Sequence, residues 1–118
     1  MRRKLSLLVL VLFVFSFACA HFVENSYKTL ATAGVTYDQT MRAVADAYKQ
    51  GLINESQKAE IMKVAQKFHH AYHAAVDALE EYKKGNVDQA EAEEKVLAVS
   101  QILDELLEKV KPLIRENK

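Results

Sequence analysis

The chain has 118 residues, half of them hydrophobic, with 16 basic and 16 acidic side chains and one cysteine. That length suits one small domain. The balanced charge offers no basic patch of the kind nucleic acid requires, and a single cysteine excludes an internal disulfide, so stability must come from packing.

At the N-terminus, Arg2, Arg3 and Lys4 precede an uncharged apolar run from Leu5 to Phe17, and the small residues Ala18-Cys19-Ala20 follow. A basic start, an apolar middle and a small-residue end are the three parts of a secretory signal peptide. The run is shorter than the roughly 20 residues that a spanning helix needs. Two cuts fit. One falls after Ala20 and leaves His21 first. The other assigns 1–18 to the signal and leaves Cys19 first, carrying acyl chains. "FSFAC" resembles the bacterial lipobox, a small residue and then cysteine at the end of the apolar run, with Ser16 where leucine is usual and Phe17 where a small residue is usual. The only cysteine stands where lipidation needs one, which favours the second cut. Several acyl chains would anchor the domain firmly, at about 0.8 kcal/mol per buried CH₂. Either cut removes three basic residues, leaving 13 against 16 acidic ones, a net charge of −3.

Residues 19–24 then form a short tether, and 25–118 a predicted three-helix bundle with helices at about 25–50, 55–84 and 88–116. In the first helix, Tyr27, Leu30, Gly34, Tyr37, Met41, Val44 and Tyr48 recur at alternating steps of three and four. The first break follows "AYKQG" and the second "EYKKG". Glycine suits the left-handed residue past a helix end, and lysine in the last turn suits the helix dipole. Asn54 with Gln57, and Asp88 with Glu91, have the spacing of a capping box. The second helix carries Ile61, Ala65, Phe68, Tyr72, Ala75, Leu79 and Tyr82, and the third Ala92, Val96, Val99, Leu103, Leu106, Val110 and Leu113. An average period of 3.5 implies coiled-coil-like packing. Ala45, Val64, Val76, Leu97, Ile102 and Leu107 widen the stripes towards a globular face. Short breaks make consecutive helices antiparallel neighbours. The expected fold is therefore all-α, an antiparallel up-down-up bundle of helices about 40 Å long. Gly34, inside a helix, costs roughly 1 kcal/mol against Ala, which close approach of a neighbouring helix would explain. Pro112 should kink or fray the last turn of the third helix.

The one cluster with chemical potential is "KFHHAYHAAVDALEEY". His69 and His73 share a helix face, Asp77 lies one turn further, and two imidazoles with a carboxylate can chelate a divalent metal. His70 can stand in for His69. The bland reading is that all three histidines are solvated or boundary residues binding metal weakly and adventitiously. The five tyrosines sit on the stripes, where a phenol packs its ring inside and keeps its hydroxyl at the rim. Glu80-Glu81, Glu93-Glu94 and Asp104-Glu105 are neighbours that diverge by about 100° on a helix and so do not converge on a substrate. Ser26, Ser56 and Ser100 lie in no nucleophile-elbow context, and no glycine-rich loop could cradle a phosphate. An enzyme is not expected.

"MRRKLSLLVLVLFVFSFACA", then "ENSYKTL" opening a helix and "GLINESQKAEI" at the first hairpin, give the chain a form that resembles small, helical, exported or lipid-anchored envelope proteins of bacteria. The resemblance implies a non-enzymatic protein of the cell envelope, held at a membrane on the periplasmic side through acylated Cys19. Its helical faces would bind a protein partner or a second copy. Two other readings stand beside it. One is a periplasmic metal-binding protein using His69, His73 and Asp77. The other is a free secreted bundle with an apolar ligand between Gly34, Ala65, Ala75 and the tyrosines.

Overall fold

The computed structural model describes residues 21–115; Cys19 and the expected signal segment lie outside the described residues. Three helices pack together: α1, Phe22–Lys49; α2, Glu55–Lys83; and α3, Gln89–Arg115. No strand occurs among the described residues.

The connections form as local chemistry dictates. Gly51 and Gly85 take φ of 77° and 81°, values that a Cβ penalises and glycine accepts. After α1, the Gly51 amide donates to the Tyr48 carbonyl and the Leu52 amide to Ala47; after α2, Gly85 donates to Tyr82 and Asn86 to Glu81. Each pair is the double bond of a Schellman motif, which satisfies carbonyls left over at a helix end. Asn54 then caps α2 with a full capping box, its side chain accepting from the Gln57 amide at 2.8 Å while Gln57 Oε1 accepts from the Asn54 amide at 2.9 Å. Asp88 accepts from the Glu91 amide at 2.8 Å to start α3.

α1 begins earlier than its stripe predicts. Phe22, Val23 and Glu24, expected in the tether, form its first turn. The Phe22 ring meets Tyr82 edge-on, with centroids 5.4 Å apart, and Glu24 places a negative charge where the helix dipole favours it.

The core has two parts. The first joins Leu30 and Ala33 of α1, Phe68, Ala75 and Leu79 of α2, and Ala92, Val96 and Val99 of α3. The second joins Val44 and Ala47, Ile61 and Val64, and Leu106 and Val110, with Ile53 from the first connection. Tyr37, Ile102 and Leu103 pack against both. Burying each large aliphatic contributes about 1.5–3 kcal/mol. No buried side-chain nitrogen or oxygen among the described residues lacks a hydrogen-bond partner.

Three expectations are corrected. On α1, the buried line includes Ser26, Ala33 and Ala47, while Tyr27, Gly34, Tyr37, Met41 and Tyr48 are only half-buried. Small residues line the face of α1 that meets the core, and the half-buried tyrosines flank it. Ala45 and Leu97 do not widen the buried face but are exposed. Gly34 is not required by close approach, because an added Cβ would meet only the Tyr72 side chain, at 3.7 Å, an ordinary van der Waals contact. α3 runs past Pro112 to Arg115. Leu113 and Ile114 pack against the second core cluster and hold that turn in place.

α2 and α3 make the most extensive helix–helix contact, and α1 packs less closely on both.

Candidate functional site

Where α1 meets the middle of α2, four rings form one cluster. Tyr37 stacks on Phe68 with centroids 4.4 Å apart and planes 4° from parallel. Its hydroxyl lies 3.0 Å from His69 Nε2, and the Tyr72 ring tilts against Phe68 with centroids 5.8 Å apart. Phe68 is buried at 2% exposure and anchors the group. Burial pushes the Tyr37 phenol above its ordinary pKa, and the Asp38 carboxylate beside it adds to the rise. The cluster ties α1 to α2 through both packing and a polar contact.

His69, His70, His73 and Asp77 are all exposed on α2. Among the described residues, no group of three His, Cys, Asp or Glu side chains is placed to hold a metal ion. The His69 nitrogen nearest α1 is engaged by Tyr37. The sequence marks His69 for a site on its own helix; the structure pairs it across to another. No spacing rule could find this, since it depends on how far α1 slides along α2.

Of the small residues considered for a ligand space, Ala65 and Ala75 are buried at 1% and 0% exposure, and Gly34 faces the Tyr72 ring.

At the first hairpin, the Tyr48 hydroxyl donates to Glu55 Oε1, and Lys58 Nζ lies 4.1 Å from the Tyr48 ring centroid. The hydrogen bond to Glu55, and then its charge, hold the Tyr48 phenol above its ordinary pKa. A recess of about 170 Å³ beside this pair is lined by Met41, Val44 and Met62 among others.

Two larger concavities lie between α1 and α3. One, of about 390 Å³, is walled by Thr29, Thr32 and Thr36 on α1 and by Ser100, Leu103 and Asp104 on α3. The other, of about 340 Å³, is walled by Thr40 and Ala43 on α1 and by Leu107, Lys111 and Ile114 on α3. Together they follow one interhelical seam, where the short side chains of α1 fail to fill the space that α3 offers. The sequence shows the threonines at helical spacing, but their role emerges only once α1 is placed beside α3.

No helix among the described residues is long and apolar enough to cross a membrane. Compared with protein-family models, with curated proteins and with solved structures, the chain matches none.

Proposed function

We propose that the chain is a non-enzymatic protein of the bacterial cell envelope: exported by residues 1–18, anchored by acyl chains on Cys19, and acting through protein contact along its helices. The observation that carries this reading is the stretch around Cys19. The sole cysteine ends an apolar run behind Arg2, Arg3 and Lys4, the order that export and acylation require. The early start of α1 adds to it. Cys19, Ala20 and His21 alone would separate the lipid from Phe22, a span of at most about 10 Å.

In this reading the bundle runs up, down and up. Antiparallel α1 and α2 are supported by Phe22 meeting Tyr82, Tyr37 meeting Phe68, and Tyr48 meeting Glu55: the number falls on α2 as it rises on α1. The membership of the two core clusters supports the same relation for α2 and α3, since Leu79 groups with Ala92, and Ile61 with Leu106. The three-and-four spacing of Ala92, Val96, Val99, Leu106 and Val110, all buried, supports coiled-coil-like packing.

Intact mass of the protein taken from its native membrane fraction tests the proposal. A chain beginning at Cys19 with added acyl mass is expected. A chain beginning at His21 without it would make the protein a free secreted bundle and remove the anchor.

A further inference from the structure

The recess beside the first hairpin combines apolar walls and cations that the bundle's own packing does not use. It lies between α1 and α2, the two helices in least extensive contact, and encloses about 170 Å³. Met41, Val44 and Ala45 of α1 and Met62 of α2 line it. Ala45 brings only a methyl group to this wall, and Met62 remains 42% exposed beside it. Methionine is flexible and polarizable, so it adapts its shape to what it covers. Tyr48 adds an apolar ring. Its hydroxyl donates to Glu55, so the polar atom of the phenol already has its partner.

The charges of the recess are of one sign. Lys49 and Lys58 are part of the wall, and Asp46 and Glu55, the acids nearest them in sequence, are not. Neither lysine has an ion pair among the described residues. Glu55 has the i, i+3 spacing to pair with Lys58, yet the Lys58 ammonium sits over the Tyr48 ring instead, 4.1 Å from its centroid. That contact holds a half-buried cation at the recess. An ammonium carries three donors, so it can still receive an anion. Apolar walls with two cations suit a molecule that is apolar at one end and anionic at the other. A cavity of about 150 Å³ accepts a six-carbon ring, which sets the size of the apolar end.

We infer that this recess between α1 and α2 is a binding site for a small amphipathic carboxylate, with an apolar body of about six carbons among Met41, Ala45 and Met62 and its carboxylate on Lys49 and Lys58. Lysine suits this head, since a point charge takes a carboxylate without the fixed fork of arginine. A flexible chain and a flat ring share the chemistry, and hexanoate and benzoate represent them. The site does not depend on Cys19, so it and the anchor fail separately.

The test is a titration of the processed chain, in detergent where Cys19 carries acyl chains, followed by NMR of isotopically labelled methionine methyls. Met41→Leu and Met62→Leu assign the two resonances. Both should shift and saturate with hexanoate or benzoate at a Kd of about 1 mM or tighter, and the tighter probe tells chain from ring. Acetate keeps the charge without the body, and hexanol the body without the charge. Each should bind at least about tenfold more weakly. Lys49→Gln and Lys58→Gln should each weaken the carboxylate about three- to tenfold. Ala45→Phe, which fills the recess from an exposed position, should abolish saturation, with circular dichroism to verify the helices. Methyl resonances that do not saturate by about 20 mM of either carboxylate, hexanol binding as tightly as hexanoate, or affinity unchanged by the lysine variants and by A45F in correctly helical protein would each overturn the inference.

Discussion

Gly34 sits inside α1 with an ordinary helical neighbourhood and room for a methyl group, since its nearest contact would be the Tyr72 hydroxyl at 3.7 Å. Glycine there costs helix stability without a steric reason. Gly34→Ala should therefore stabilise the fold by about 0.5–1 kcal/mol, read as a higher denaturation midpoint. A loss would mean that Tyr72 cannot adjust. Tyr37 carries a second residue-scale expectation. Its phenol is held above the ordinary value first by burial and then by Asp38. The unfolded chain then ionises at lower pH than the folded one. The stability linked to this group is complete below about pH 10, the ordinary phenol pKa, and is lost as pH rises through the higher folded value. Tyrosinate absorbance should show a late-ionising phenol that Tyr37→Phe removes. That variant should also lessen the fall in stability under alkali. If the titration curve is unchanged apart from amplitude, Tyr37 is not the late group.

At the scale of the helices, the two Schellman ends make a sharp contrast with Gly34. Gly51 and Gly85 have positive φ and nothing within 4 Å of a built Cβ, so substitution there strains the backbone alone. Gly51→Ala and Gly85→Ala should each cost about 1–2 kcal/mol, seen in thermal melts as losses of several degrees. These ends, the Asn54 box and the existence of three helices were all legible in the sequence, because each depends on residues within a few positions. The rotation of α1 was not. Its tyrosines are the more hydrophobic-looking line, yet Ser26, Ala33 and Ala47 are buried, because small residues decide how deeply a helix settles against two neighbours at once. Ile53 was missed as well. It is buried at 2% exposure, but it sits in a connection, where no period reveals it. Leu79 and Leu97 show the same limit. Both look like face residues, yet Leu79 is 0% exposed and Leu97 55%. Leu79→Ala should destabilise by about 2–5 kcal/mol through lost burial and a cavity, and Leu97→Ala by less than about 0.5 kcal/mol. Urea unfolding of the two variants checks the assignment. The pairing of Tyr37 with His69 escaped for a related reason: it needs the relative slide of α1 and α2, which propensity and spacing do not contain.

The whole molecule adds direction. α1 is about 42 Å long at 1.5 Å per residue, and its start lies beside the end of α2, where Phe22 meets Tyr82. The connection around Asn86 therefore lies at the end where α1 starts, and the connection around Leu52 at the other. Were Cys19 acylated as proposed, the Asn86 end would meet the membrane and Leu52 would stand clear of it. A fluorophore placed at Asn86 or at Leu52, both exposed, tests this when headgroup-labelled lipids act as the quencher. With the acylated chain on vesicles, quenching is expected at Asn86 and not at Leu52. Equal quenching at both would mean that the bundle lies along the surface, and quenching at neither in an acylated chain would overturn the placement of the Asn86 end against the membrane.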